Sequence, residues 1–386
     1  MIESKKRLLD RHVFFDLLRS GLWEQPVRLL HYEEVDFNLI FRLADEQSVV
    51  GLVAAGLEHI EGRGVTKQQA LPFMKRVFSM EGRNAEMDRF IAELFATLKG
   101  QGIQALLVKG QGIAQCYERP QWRTAGDVDL LLDAENYEKA KSFLIPIASH
   151  VEKEYRDRLH LGMTIDSWTV ELHGSMRNYR LGRVNKCIDE AQFNIFQKAK
   201  NRFWINTNTT IELPSYDDDV IIVFTHILQH FFSTGIGLRQ ICDWCRLLWR
   251  GRGSIDYKLL ASRLNEVRLQ SEWSVFASLA VKYLGMPEDA MPFYRQSTLL
   301  EWKADRLMAF ILRTGNFGHK QDCRYQRKNS YLLRKIISFT RNTQNALYRL
   351  IIFPCDSIAF YLRDVVCSLR SVWKSWIRMI DAKQSV

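Results

Sequence analysis

The run at residues 127–132, Asp-Val-Asp-Leu-Leu-Leu, constrains this chain more than any other stretch. It alternates acidic with apolar residues and then becomes wholly apolar, which is typical of a β-strand that enters a buried sheet. Because side chains alternate across a strand, Asp127 and Asp129 are predicted to point the same way, roughly 6–7 Å apart along it. Two carboxylates on one face are the oxygen ligands that a divalent cation requires.

A glycine turn precedes this strand. Apolar residues at 105–108 predict another strand, which stops at Lys109-Gly110, and helix-permitting residues resume at 112–117. A turn of this kind exposes backbone N–H groups at the start of a helix, which suits a phosphate group. The turn beside the two aspartates therefore strengthens the prediction of a divalent-metal site.

A third acid lies on a later strand candidate. Residues 168–173 read WTVELH, in which Glu171 shares a face with Thr169 and His173. The order of glycine turn, double acid and third acid is the main functional signal of the sequence. Further β candidates lie at residues 150–156 and 159–165, and a helix is predicted at 134–143.

Periodicity divides the chain into parts. Apolar residues recur at three- and four-residue spacing in the first hundred residues, which predicts helices at 8–22, 37–60 and 67–98. Short β-rich runs follow, and helical spacing then returns. The fold class predicted is α+β, a small mixed-sheet module flanked by all-helical regions. The four predicted parts are an N-terminal helical region, the mixed-sheet module, a helical domain and a basic amphipathic helical tail, at residues 1–98, 99–180, 181–319 and 320–386.

Positive charge is concentrated in the tail. The chain carries a net charge of +10, and the residues from Lys320 onward hold 13 Lys and Arg against 4 Asp. Basic residues stand among apolar ones at helical spacing from Ile358 to Ile380. Three interpretations remain open: a helix packed on the body, a helix lying on anionic lipid, or a contact with a nucleic-acid backbone. Nucleic acid is the least favoured, because the chain has no basic-aromatic sheet motif.

Cysteine usage and the opening residues bear on the compartment. Seven scattered cysteines and a charged start, MIESKKRLLDRH, predict a reducing cytoplasm, with peripheral contact to a membrane as an option. No run of about 18 uncharged apolar residues occurs, so a spanning helix is not expected. Cys242 and Cys245 have the spacing of a redox pair, but they lie inside a helical run and are interpreted as packing residues.

Two histidines stand one helical turn apart. His226 and His230 lie in the apolar run 220–232, at a spacing that could bind a metal ion. The favoured interpretation is that both are buried and hydrogen-bonded, and another is that they line the acceptor side of a cleft. Farther along, Arg239 and Asp243 are four residues apart and are predicted to pair with each other.

The segments VKGQGIAQCY, Arg123, GDVDLLL and VELH together resemble the nucleotidyltransferase superfamily of the DNA polymerase beta type. The sequence is most similar to an uncharacterised bacterial branch, marked by a Lys-Gly turn, an Arg and Asp-x-Asp on a strand. It departs from the superfamily pattern of a Gly-Gly or Gly-Ser turn, since the turn is Gly110-Gln111. The interval of 15 residues between Gln111 and Asp127 is also longer than usual.

The resemblance implies transfer of a nucleoside monophosphate from an NTP to a hydroxyl acceptor, with Mg²⁺ or Mn²⁺ as cofactor. In-line attack on a phosphoryl group is assisted by metal ions, typically about 3.5–4 Å apart, that bridge the attacking and leaving oxygens. The implied catalytic and metal-binding residues are Asp127, Asp129 and Glu171, and the implied phosphate-binding residues are Lys109, Gly110, Gln111 and Arg123.

Alternatives remain open at this stage. Lys109 and Arg123 are equally explained as solvated side chains or as partners of Glu118. The whole chain is also explained as a nucleotide-binding or interaction module without catalysis, whose basic tail docks on a membrane or a partner. Nothing in the sequence selects the acceptor or the base of the NTP.

Overall fold

A computed structural model of the protein describes residues 2–29, 35–62, 64–177, 182–197, 200–316, 331–363 and 365–366. Its elements run from long helices to a five-stranded mixed sheet and back to helices. The predicted α+β class is therefore confirmed.

Four helices precede the sheet. They are α1 (Ile2–Trp23), α2 (Phe37–Glu46), α3 (Val50–Glu58) and α4 (Lys67–Gly100). The predicted single helix at 37–60 is wrong, because Ser48 adopts a positive φ of 55° and separates α2 from α3. The start of α4 is fixed by a capping box in which Thr66 and Gln69 satisfy each other's backbone N–H groups.

The main sheet is built from five short strands. They are β1 (Leu106–Val108), β2 (Val128–Leu131), β3 (His150–Val151), β4 (His160–Ile165) and β5 (Trp168–His173). Their order across the sheet is β1-β2-β5-β4-β3, and β2 pairs with β5 in parallel while the other pairs are antiparallel. The expected strand at 150–156 is shorter than predicted: its strand residues are His150 and Val151, and Tyr155 adds an isolated bridge to His160.

Strand β2 lies inside the sheet and all four of its residues are buried. Its burial on both faces explains why the sequence there becomes a continuous apolar run. Helix α4 covers the sheet with Met87, Ile91, Leu94 and Leu98, which join the sheet residues in one hydrophobic cluster. This packing holds the carboxylate-bearing end of β2 in a fixed position.

Helices also lie between the strands and after the sheet. The helices between strands are α5 (Gly110–Ala114) and α6 (Ala134–Leu144). The later helices are α7 (Asn185–Gln197), α8 (Tyr216–Phe232), α9 (Leu238–Gly251), α10 (Tyr257–Glu266), α11 (Gln270–Leu284), α12 (Thr298–Thr314) and α13 (Tyr331–Ile352).

A β-hairpin interrupts the helical region that follows residue 180, where the sequence predicted only helix. It consists of β6 (Arg202–Asn206) and β7 (Thr209–Leu213), joined by a tight turn in which Thr207 has a positive φ of 53°. Its aromatic and β-branched residues favour strand over helix. The hairpin packs on α4 and β1, and Asn206 donates a hydrogen bond to the backbone carbonyl of Asp88.

The predicted basic tail is described only in part. Helix α13 and residues 354–363 are helical, as the spacing predicts. The remaining tail positions that were predicted to be helical, Leu369, Val372, Trp376 and Ile380, lie outside the described residues. Within the described ranges, the structure contains no helix that is both long enough and apolar enough to cross a bilayer.

Candidate active site

The three predicted acids meet at one end of the sheet. Asp129 on β2 stands directly opposite Glu171 on β5, and Asp127 immediately precedes β2. One carboxylate oxygen from each of the three lies within 4.8 Å of the other two. The local alternation of β2 and its parallel pairing with β5 are therefore enough to gather three acids at one point.

The glycine turn brings Lys109 to this cluster. Lys109 follows β1, whose last residue stands opposite Asp129, and its Nζ donates to Asp129 Oδ1 at 2.7 Å. Its backbone has φ 56° and ψ −143°, a conformation that costs about 1–3 kcal/mol in a non-glycine residue. The next residue, Gly110, has φ 32°, and a Cβ there would lie 3.2 Å from the carbonyl oxygen of Asp127. The turn is thus held tightly against the acids.

Two histidines that the sequence analysis gave no role complete the cluster. His173 Nε2 lies 2.7 Å from Asp129 Oδ1 and 3.3 Å from Glu171 Oε2. His160 Nε2, on the neighbouring strand β4, lies 3.2 Å from the same Glu171 oxygen. The signal for His173 was its place two residues after Glu171 on the same strand face.

The cluster carries an excess of negative charge. The carboxylate of Asp129, together with burial and Glu171, raises the pKa of Asp127 to about 6. Burial by itself would raise the pKa of Asp129, but Lys109 and His173 outweigh it and hold that pKa below its usual value. Three carboxylates facing so few cationic groups fit a divalent cation, which prefers oxygen ligands and relieves their repulsion.

The cluster forms one wall of a cavity of about 170 Å³. Lys109, Gly110 and Arg123 line the cavity beside the acids. The facing wall comes from α8 and α9 and contributes Val223, His226, Ile227, His230, Arg239, Gln240 and Asp243. The structure therefore brings together the glycine turn, the acids and the two histidines of α8.

Comparison with known protein families assigns the chain to one of them. A family model described as "uncharacterised nucleotidyltransferase" matches residues 33–285. The chain belongs to that family. One solved structure that matches is an antigenic nucleotidyltransferase-like protein from Paracoccidioides brasiliensis, at 16% identity and a TM-score of 0.31, over 50% of this chain and 91% of that one. No curated protein matches the chain.

In this nucleotidyltransferase family member, His226 and His230 face the acids across the cavity. Their rings lie 4.4 Å apart between centroids. Burial, reinforced by the nearby Lys109 ammonium, holds the pKa of His226 well below its usual value and lowers that of His230 to about 4. Both imidazoles are therefore neutral at neutral pH. Both are partly buried and line the cavity, and His230 Nδ1 lies 3.3 Å from Thr234 Oγ1, so their position combines the buried and the cleft-lining interpretations.

Arg123 is held by a carboxylate of α9. Its Nε and Nη2 donate to the two oxygens of Asp243 at 2.7 and 2.8 Å, and the Tyr117 hydroxyl donates to Asp243 Oδ1 at 2.7 Å. The alternative pairing of Arg123 with Glu118 is wrong, since Glu118 accepts from Arg246 instead. Arg123 therefore lines the cavity as a fixed and partly neutralised cation.

Gln111 and Arg239 each form a hydrogen bond with a neighbouring element of the fold. The Gln111 side chain is buried, and its Nε2 donates to Asp88 Oδ1 at 2.7 Å, which joins α5 to α4. Arg239 donates through Nη1 to the Thr124 carbonyl at 2.9 Å, whereas its predicted partner Asp243 receives the contacts from Arg123 and Tyr117 described above.

The two cysteines of α9 are packing residues. Cys242 and Cys245 are fully buried and unbridged, and burial raises the pKa of both thiols. A thiol that resists ionisation is a poor nucleophile and a poor metal ligand. This agrees with the interpretation from the sequence.

Proposed function

We propose that the protein transfers a nucleoside monophosphate from an NTP to a hydroxyl acceptor, in the cavity between the sheet and α8. The observation that carries the proposal is the meeting of Asp127, Asp129 and Glu171 within 4.8 Å beside the Lys109-Gly110 turn. The Lys-Gly turn, Arg123 and the Asp-x-Asp strand further support placing the chain in the bacterial branch that carries this signature.

In this proposal Asp127, Asp129 and Glu171 hold Mg²⁺ or Mn²⁺. The oxygen donors suit either ion, and Asp127 is kept from full ionisation by a neighbouring carboxylate that a cation would neutralise. When bound, the ions would offset the charge that develops on the phosphoryl oxygens and lower the pKa of the acceptor hydroxyl.

Phosphate binding is proposed for the glycine turn beside the acid cluster. A cation bound by Asp129 would replace the Lys109 ammonium there and free Lys109 to bind the triphosphate with the amides of Gly110 and Gln111. Arg123 would add fixed positive charge from the cavity wall. The cavity of about 170 Å³ is smaller than the roughly 300 Å³ of the smallest common ligand sites. We infer that it receives the phosphates, with the sugar and base lying beyond it.

The acceptor is proposed to enter along α8. His226 and His230 are neutral, so each has a ring nitrogen able to accept a hydrogen bond from a hydroxyl group. Their place across the cavity from Glu171 would point that hydroxyl towards the metal ligands.

The experiment is transfer of label from each of the four α-³²P NTPs, with Mn²⁺ or Mg²⁺, to saccharides, small alcohols, tRNA and the protein itself. The wild type is expected to label one acceptor class, and Asp127→Ala/Asp129→Ala to lose the labelling. Asp157→Ala, which changes an exposed acid away from the cavity, is the matched control. Tight NTP binding without transfer would support the nucleotide-binding alternative, and equal labelling by the double variant would exclude the proposed metal ligands.

A second candidate function is docking on an anionic membrane through the C-terminal helices. The observation that favours it is a set of exposed apolar side chains in this basic part of the chain: Leu347, Ile351, Ile358, Leu362 and Val366. The test is co-sedimentation with phosphatidylserine vesicles, in which Ile351→Gln/Leu362→Gln is expected to bind less than wild type. Equal binding of both proteins, or binding of neither, would exclude this surface.

A further inference from the structure

We propose that His160, Glu171 and His173 form a second cation site, which takes a zinc-like transition metal rather than Mg²⁺. The site shares Glu171 with the carboxylate cluster but lies on its β4 side. Two of its three ligands, His160 and His173, lie outside the carboxylate cluster, and the site does not depend on the proposed transfer reaction.

The strand register creates the site. His160 on β4 stands directly opposite His173 on β5 in an antiparallel pair, and Glu171 lies two residues before His173 on the same face. The ring centroids of His160 and His173 are 4.8 Å apart. One ligand atom from each of the three residues lies within 4.8 Å of the other two. Two imidazoles and one carboxylate therefore converge without any rearrangement of the backbone.

The distances fit metal ligation as well as they fit an ordinary hydrogen bond. Tetrahedral ligands about 2.0–2.1 Å from zinc are separated from each other by about 3.3 Å. Glu171 Oε2 lies 3.2 Å from His160 Nε2 and 3.3 Å from His173 Nε2. Charge-assisted N–H···O bonds are shorter, at about 2.7–2.9 Å, and the His173 contact with Asp129 at 2.7 Å is one of these.

Ligand chemistry selects the metal. Neutral imidazole nitrogens with one carboxylate are a typical donor set for Zn²⁺, with a fourth position left for water, whereas Mg²⁺ prefers oxygen ligands. A cation bound to His173 Nε2 would displace the proton that this nitrogen shares with Asp129, so the 2.7 Å contact would open and the proton would leave to solvent. The side chains of His160 and Glu171 are 24% and 28% exposed, so an ion has access to the site from outside.

The site is tested by titrating the full-length, metal-free protein with Co²⁺ and following visible absorption. Four-coordinate Co²⁺ absorbs far more strongly than the six-coordinate ion that an all-oxygen site would hold. We expect strong absorption that stoichiometric Zn²⁺ removes and excess Mg²⁺ leaves. In His160→Ala the Co²⁺ affinity is expected to fall by about 100-fold or more, since loss of even an outer-shell partner costs about 10–100-fold.

Matched variants decide the location. His150→Ala changes an exposed histidine at the sheet edge and is expected to keep the absorption. His230→Ala removes one of the two imidazoles on α8 and is expected to keep it as well. His160→Cys should retain binding and add sulfur-to-cobalt charge-transfer bands, which keeps the test decisive if His160→Ala folds poorly.

Three outcomes would overturn the proposal: a six-coordinate spectrum in the wild type, unchanged absorption in His160→Ala, or loss of absorption in His230→Ala. The measurement needs no turnover. A failure here is therefore distinguishable from a failure of the proposed nucleotidyl transfer, and the reverse also holds.

Discussion

Two regions of this molecule contain buried carboxylates, and the partners of these carboxylates differ between the regions. Among the helices, two buried acids each receive a guanidinium: Asp243 binds Arg123 at 2.7 Å, and Asp218 binds Arg263 at 2.8 Å. At the sheet end, three carboxylates lie within 4.8 Å of one another. Lys109 donates to Asp129, and the imidazoles of His173 and His160 contact Asp129 and Glu171, in place of a guanidinium for each acid.

The difference distinguishes carboxylates that stabilise the fold through ion pairs from carboxylates that are suited to bind a cation. A matched buried pair fixes how two elements meet, and breaking it leaves an uncompensated charge in a medium of low dielectric constant. An unmatched group of acids destabilises the protein by itself and becomes favourable when a cation binds. Substitutions in the two regions should therefore change stability in opposite directions.

The largest expected effect is on the matched pair. Asp243→Ala leaves the buried Arg123 guanidinium without its carboxylate, so we expect a loss of about 3–5 kcal/mol in the free energy of unfolding. Denaturant or thermal unfolding measures this loss. Arg123→Met/Asp243→Leu, which removes both charges, should recover much of it. A cost below about 1 kcal/mol for the single variant would contradict the structural role of the pair.

Next in size is the response of the acid cluster to metal. Mn²⁺ at one hundred times its dissociation constant should stabilise the wild type by about 2.7 kcal/mol, because only the folded chain gathers the ligands. Removal with EDTA should reverse the rise in melting temperature. Asp127→Ala/Asp129→Ala should not respond to Mn²⁺, and an equal response in that variant would place the ion elsewhere.

An acid pair within the helical region sharpens the comparison. Burial, aided by Asp356, raises the pKa of Glu272 to about 8, while Arg183 donates to Asp356 at 2.7 Å. Since the folded pKa lies above the ordinary value near 4.5, the stability contribution of protonated Glu272 is complete below about pH 4.5 and is lost as pH rises through about 8.

The measurement is the melting temperature at pH 5 and pH 8.5. Wild type should lose several degrees more than Glu272→Gln between these values, because the amide cannot ionise. Parallel pH profiles for the two proteins would show that Glu272 is not the titrating group.

The smallest expected effect belongs to a single acid of the cluster. Asp127→Asn removes one of three carboxylates that repel each other. Without metal, we expect the free energy of unfolding of this variant to equal that of the wild type or to exceed it by up to about 1 kcal/mol, which thermal unfolding measures. A loss as large as that of Asp243→Ala would abolish the distinction between the two regions.

Local patterns carried much of the prediction. The alternation at residues 127–132 and 168–173 predicted β2 and β5 closely, and the three acids meet where their order implied. Contacts between distant residues were not predictable in this way. Arg123 and Asp243 are 120 residues apart in sequence, and no local periodicity indicates that they pair.

The other missed features have physical reasons of the same kind. The break at Ser48 depends on a single backbone angle within an apolar helical pattern. The hairpin β6–β7 was hidden because its short strands lie between long helical runs. His173 was seen on the acid face, but its role depends on the parallel register that brings Asp129 alongside Glu171.

That register also bears on how the chain tolerates changes of length. A one-residue insertion within β2 would turn Asp129 to the opposite side of the sheet and dismantle the site in one step. The stretch at 152–158, between β3 and β4, is mostly exposed and holds none of the three acids. We expect insertions and engineered tags to be tolerated better there than in β2 and β5, where a change in spacing would separate the three acids.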